Sequence, residues 1–217
     1  MASKYNFKEL MKERHSCRRF QSKPIPQETL KEIISISLMS PSWCNSQPWT
    51  IYVASGNTIE EIRKEWISKN KEKVKGYADI DPGHRTNFSE RSQGTMAKFF
   101  KCWEDMPNKN AAEEANWDMF NAPTVVYLTL PKGHIKYSVL DLGSIEMSIM
   151  LAAKDYGVDS IPAYTTIMYP DVLRKNMKIP ENEDIVIGIA LGYEEKCLLN
   201  EHRSKKLTLE EACHFYN

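Results

Sequence analysis

Apolar positions along the chain recur in two rhythms. Leu30, Ile33, Ile34 and Leu38 return at three- and four-residue steps, which predicts an amphipathic helix over 27–39, entered through Pro26 after the KPIP turn. Tyr5, Phe7, Leu10 and Met11 predict an earlier one over 5–13. WTIYVA (49–54) reads as a strand, and GNTIEEIRKEWISK as a helix capped by Asn57 or Thr58. APTVVYLTL (122–130) and DIVIGIALGY (184–193) are nearly continuous apolar runs, the pattern of strands covered on both faces. A further strand is expected over 158–164, then a short helix after YPD. SPSWCNSQP, with prolines at both ends, reads as a rigid polar loop. Residues 70–120 are charged with scattered aromatics, and a helical excursion or lid around FSERSQGTMAKFFKCW is expected there. Helices alternating with apolar strands predict a layered α/β or α+β core.

The segment 138–156 is different. Val139, Leu140, Leu142, Ile145, Met147, Ile149, Met150, Leu151, Ala152 and Ala153 cover most of a helical circumference, stopped by Gly157. Such a helix must be buried all round, either as the central helix of a monomer or against a second copy of the chain.

The length of 217 residues allows one domain with a sizeable core or two very small ones, and one is simpler. Lys plus Arg and Asp plus Glu number 29 each, so no net field recruits nucleic acid or an anionic membrane. The apolar stretch around 138–156 carries Asp141, Glu146 and Lys154, which argues for a buried helix in a soluble protein and against a membrane span. Five cysteines without a CxxC pair, behind an opening (MASKYNFKEL) that lacks an apolar signal core, predict free thiols and a cytoplasmic setting. No repeat or low-complexity linker stands out, and the histidines show no HxxxH or HxH spacing, so no metal site is expected.

Candidate chemistry concentrates in RHSCRRF (14–20). In an extended segment Arg14, Ser16 and Arg18 share one face and offer two guanidinium forks and a hydroxyl, a set suited to a phosphorylated planar ligand. Two surface arginines flanking a capping serine is the alternative. The basic run HRSKK near the end has its own plain reading, a solvated charge cluster.

Four segments in order carry a resemblance: RHSCRRF, SPSWCNSQPW, NAPTVVYL with LDLGSIEMSIMLAAKDYGVDS, and DIVIGIALGY. Together they resemble the FMN-dependent nitroreductase family, over roughly residues 7–212 and only weakly between 57 and 117. The resemblance implies an α+β, three-layer α/β/α fold around a central mixed, mostly antiparallel sheet. It also implies a homodimer with FMN sites at the interface, each built from both chains. A single domain over 1–217 is expected, with 57–117 as lid and the tail 194–217 reaching over the partner or the cofactor.

The same resemblance implies the site residues. Arg14 would pair with the FMN phosphate, Ser16 would add a donor, His15 would contribute its backbone, and Arg18 would lie beside the pyrimidine edge, where a cation favours the reduced flavin. Pro41 and Ser42 would shape a wall, Asn45 and Gln47 would donate across the dimer, and Trp43 would pack on the ring or on a substrate. Ala163, Tyr164 and Thr165 would bring backbone amides to flavin N5, with Pro162 lining the site before them, although Tyr164 departs from the family pattern. NEHRSKK resembles the family's tail motif and makes Arg203 and Lys206 further phosphate partners. Cys44 has no neighbouring base, and no nucleophile is expected. The implied function is an oxidoreductase that takes hydride from NADH or NADPH and passes electrons to a small electron-poor acceptor, a nitroaromatic or quinone, in ping-pong order. Its rivals are reductive dehalogenation, a flavin-fragmenting activity, and a low-turnover flavin sensor or store.

Overall fold

The protein is described from a computed structural model covering residues 6–216. Helix α1, Phe7–Glu13, opens on a reciprocal cap: Asn6 Oδ1 accepts from the Glu9 N–H at 3.1 Å and Glu9 Oε2 accepts from the Asn6 N–H at 3.3 Å. The expected start at Tyr5 lies outside the described residues. Helix α2, Gln27–Ser37, buries Leu30 and Ile33 and ends two residues earlier than expected. Strand β1 is Thr50–Ser55 and helix α3 is Asn57–Lys71. Neither Asn57 nor Thr58 caps α3. Gly56 holds that position at φ 55°, and a residue without Cβ is what such a left-handed turn favours.

The stretch that was hardest to read folds into α4 (Glu90–Glu104) and α5 (Ala111–Trp117). Then come β2 (Thr124–Pro131), α6 (Lys136–Asp155) and β3 (Asp159–Ala163). Helix α7 (Pro170–Met177) begins on the proline of YPD itself, at the N-terminal position where the missing N–H costs nothing. Strand β4 (Glu183–Gly192) and two short tail helices, α8 (Leu198–Glu201) and α9 (Leu209–Ala212), complete the chain.

The strands pair in the order β1-β2-β4-β3, every neighbour antiparallel. The parallel element is one isolated bridge, Ser16 to Ser160, which lays RHSCRRF along the free side of β3. Alternation along β2 sorts its side chains into two cores. Val125 and Tyr127 join Trp66, Ile59 and Ile62 of α3 on one face; Val126, Leu128 and Leu130 join Leu142, Ile145 and Ile149 of α6 and Ile33 of α2 on the other. Helices thus cover both faces, and the architecture is three-layered α+β. On β4, Gly188 is required by a close approach: a Cβ there would lie 2.1 Å from Thr166 Oγ1, where the 164–167 turn packs down.

On the single chain helix α6 is covered on one side only, so burial as the central helix of a monomer does not hold. Leu142, Ile145, Ile149 and Ala153 are covered, but Val139 is 42 % and Leu140 66 % exposed on the single chain. Among the described residues no helix is long and apolar enough to cross a membrane.

Candidate functional site

Residues 15–20 run as extended chain, with His15 and Cys17 turned inward and Arg14, Ser16 and Arg18 on the more open side. Backbone bonds fasten the segment: the Cys17 N–H donates to Ser160 O at 3.0 Å, the Phe20 N–H to Phe120 O at 3.0 Å and the Gln21 N–H to Tyr193 O at 2.9 Å. The Phe120 carbonyl belongs to a turn with three successive left-handed, non-glycine residues, Met119, Phe120 and Asn121. Strain of that kind persists only where surroundings hold it. Here Arg63 donates to the carbonyls of Asp118 (3.0 Å) and Ala122, and Arg19 pairs with the Asp118 carboxylate at 2.6 Å.

Asn200, at the head of the basic tail motif and 2 % exposed, is the pin between tail and segment. It accepts from the Arg18 N–H at 2.6 Å and donates to Arg19 O (2.7 Å) and Glu195 O (2.8 Å). It thereby carries Arg203 to Arg18, close enough that the two cations lower the charge affinity of their surroundings. Burial first, then Arg203, brings the Arg18 pKa down to about 10. His202 is held below its ordinary range by burial and then by Arg18 and Arg203.

Arg18 does not extend freely along the site edge. Its guanidinium donates to Ser16 O at 3.0 Å and lies 4.7 Å from the centre of the Trp103 ring and 5.7 Å from that of Phe99. His202 packs on the same two rings, at 4.6 and 5.9 Å. Trp103, the buried residue of α4, is therefore gripped by a cation and an imidazole.

Among the described residues, Arg14, Arg18, Arg203 and Lys206 have no carboxylate partner, and Arg14 Nε and His202 Nε2 are buried atoms without a hydrogen bond. Lys206 is exposed, with no contact that ties it to the other three.

In the second segment, Cys44, Asn45 and Gln47 all have positive φ, at 48°, 58° and 41°. Asn45 Oδ1 accepts from Gln47 Nε2 at 3.1 Å, Ser42 Oγ accepts from the Gln47 N–H at 2.9 Å, and Pro41 stands exposed beside them. Trp43 packs on Tyr137 of α6, ring centres 4.9 Å apart. In the third segment, Pro162 and Ala163 end β3, Tyr164 is 37 % exposed, and Thr165 Oγ1 donates to Asn116 Oδ1 of α5 at 2.7 Å. The region before α4 reaches the same place, since the Tyr77 N–H donates to Met168 O at 2.8 Å. The excursion therefore touches both the Arg18 cluster and the Tyr164 turn.

The fold also assembles a group invisible in the histidine spacing. His15, Asp159 and Glu194 place ligand-type atoms within 4.8 Å of one another. His15 Nδ1 faces Glu13 O at 2.9 Å and Nε2 faces Glu194 at 3.5 Å, while Lys154 already pairs with Asp159 at 2.7 Å. The imidazole thus points away from the open side that carries Arg14 and Arg18.

The family model described as the nitroreductase family matches residues 11–193. The chain belongs to the nitroreductase family. It is 26 % identical over 218 residues to a 4-nitrobenzoate reductase of Pseudomonas putida, covering 97 % of this chain and 95 % of that one. A chloronitrobenzene nitroreductase of Comamonas testosteroni is 26 % identical over 95 % of both chains. The solved FMN-dependent nitroreductase NfnB of Mycobacterium smegmatis, in complex with NADPH, superposes with a TM-score of 0.87 at 24 % identity over 97 % of each chain, a likeness of fold.

Proposed function

We propose that the protein is an FMN-dependent oxidoreductase that draws on NADH or NADPH and reduces small electron-poor acceptors, nitroaromatics or quinones. The observation that carries this reading is the set of guanidiniums without carboxylate partners, Arg14, Arg18 and Arg203, with the buried Arg14 Nε left without a partner. Like charges gathered without an acid are stabilised by a bound anion, and a phosphate monoester fits the fork geometry of arginine. The donor set therefore fits FMN.

Bound FMN supplies the hydride-accepting and hydride-donating centre. Arg14 and Arg203 would hold its phosphate, with Lys206 adding charge and Ser16 a hydroxyl. Arg18, backed by Trp103, would present its cation to the pyrimidine edge. The 42–47 loop, with Asn45 and Gln47, and the backbone of Pro162 to Thr165 would orient the ring system. The excursion over 57–117 forms the acceptor side, where Tyr164 and exposed aromatics such as Tyr77 and Phe88 favour a planar acceptor. A homodimer completes the site: Trp43, Tyr137 and Leu140 make an apolar surface suited to a second copy. The five unpaired cysteines fit a reducing, cytoplasmic setting.

The test is an anaerobic titration of the purified protein followed by its visible spectrum. A yellow protein with about one FMN per chain, bleached by NADH or NADPH and recoloured by 4-nitrobenzoate, is expected. Bleaching without turnover on any nitro compound or quinone would favour a sensor or store, and a protein that binds no FMN at micromolar concentration would overturn the reading.

A further inference from the structure

We propose that Asp141 is a positioning residue that sets the geometry of the flavin-facing loop 42–47 from helix α6. The inference rests on the FMN reading above and goes beyond it, because Asp141 lies outside the loop and outside the donor set for the cofactor.

The loop is a poor structure by itself. Three of its residues with side chains, Cys44, Asn45 and Gln47, sit in the left-handed region, where a Cβ is disfavoured and such a conformation persists only when neighbours impose it. Inside the loop there are only short-range ties: the Asn45 N–H to Ser42 O, the Ser46 N–H to Trp43 O, the Gln47 N–H to Ser42 Oγ and the Gln47 side-chain amide to Asn45 Oδ1. The polar hold from outside comes from Asp141. Its two carboxylate oxygens accept from the Trp43 N–H at 3.0 and 3.1 Å, and Oδ2 lies 3.2 Å from the donating Ser46 hydroxyl. The carboxylate is 7 % exposed as a residue, so these bonds are little diluted by water. Charge-assisted bonds from a carboxylate to main-chain N–H are among the stronger ones available to a loop.

The rest of α6 shares the task. Tyr137, one turn before Asp141, packs tilted against Trp43, and Ser148, two turns after, lies 2.6 Å from Ser40 Oγ at the loop's entry. Tyr137, Asp141 and Ser148 form a stripe that grips residues 40–46. The adjoining surface of the same helix leaves Val139 and Leu140 exposed, the side assigned above to the partner. Helix α6 thus links the subunit contact to the loop that carries Asn45 and Gln47.

The experiment compares parent, Asp141→Asn, Ser46→Ala and Arg14→Ala as full-length FMN-loaded proteins, read by visible circular dichroism of the bound flavin, FMN dissociation constant, and kcat and KM separately. Asp141→Asn keeps one acceptor for Trp43 and loses the oxygen shared with Ser46. It should weaken FMN by about tenfold, the scale of one hydrogen bond to a charged group. It should also change the flavin dichroism, with the melting temperature near the parent's. Ser46→Ala should shift the dichroism in the same direction by less. Parent-like dichroism and FMN affinity in both variants, with Arg14→Ala weakened, would overturn the role of Asp141 and leave the FMN reading standing. If Asp141→Asn does not fold, the Ser46→Ala dichroism decides by the same criterion. A parent that binds no FMN would overturn the reading on which the inference rests.

Discussion

His202 is a neutral ring held among cations. Burial is the main cause of its lowered pKa, with Arg18 and Arg203 adding repulsion, and its Nε2 has no partner among the described residues. The consequence for stability has a definite sign. Well above the ordinary value of 6.5 the ring is neutral in both folded and unfolded chains and contributes no pH dependence. As pH falls below 6.5 the unfolded chain takes up the proton first, so the FMN-free protein loses stability until the lower folded pKa is passed. Urea unfolding of FMN-free protein at several pH values between 7 and 5 should show this decline, and His202→Gln should make it shallower. Bound phosphate counters the repulsion, so added FMN should also flatten the slope in the parent. An identical slope in parent and His202→Gln would remove the histidine from the account. Arg18 and Arg203 were legible as cations in the sequence. The closeness of His202 to both, and its ring contact with Trp103, follow from the fold alone.

At the scale of elements, α4 is attached mainly through one side chain. Trp103 is its buried residue, 8 % exposed, clasped between Arg18 and His202, while most of the helix faces solvent. Trp103→Ala should therefore release α4 locally. Amide hydrogen exchange over 90–104 should quicken by about a hundredfold, the equivalent of about 3 kcal/mol at the low end for a buried Trp truncation. Exchange in β2 and β4 should stay near the parent's. A uniform loss of protection across the sheet would show instead that Trp103 supports the whole core. The elements best read from sequence were those whose burial is imposed by one regular partner. β2 and β4 lie between two layers, and their unbroken apolar runs gave their bounds to within two residues. Helix α2 declared its stripe only in part: Leu30 and Ile33 are buried, Ile34 is half-buried and Leu38 is exposed. Within residues 70–120 the expected helix around FSERSQGTMAKFFKCW is found as α4, but where the segment packs could not be read because its aromatics do not follow a single face. Trp103 points to Arg18 and His202, Tyr77 is tied through its backbone to Met168, and Arg85 stacks on Phe100 at 3.8 Å. Contacts of that kind join distant segments and leave no period in the chain. Asp141 was legible only as a charge in an apolar run; its role depends on a left-handed loop almost a hundred residues earlier.

The whole molecule presents an imbalance that a second copy would resolve. Helix α6 packs Leu142, Ile145 and Ile149 against the sheet, yet Ile135, Tyr137, Val139 and Leu140 remain exposed in succession, beside Trp43 and not far along the chain from Met39 at 81 % exposed. Exposed apolar patches of this kind mark contact surfaces. The all-round apolar character of this helix is legible in its residues but leaves a monomer core and a dimer seam both open, and on the single chain its own layers cover only one side. Leu140→Asp separates the two outcomes, because Leu140 is 66 % exposed on one chain. In a monomer the substitution stays on the surface and should move stability by no more than about 0.5 kcal/mol. In a dimer seated on α6 it buries a carboxylate without a partner on each side, a cost of about 3–5 kcal/mol for an uncompensated buried charge. Light scattering should then report a dimeric parent and a monomeric variant that retains its fold. The variant should also bind FMN less tightly, since α6 carries the Trp43 loop through Tyr137 and Asp141. A parent that is monomeric at micromolar concentration, or a Leu140→Asp protein that stays dimeric with parent-like FMN affinity, would refute the assignment of this face.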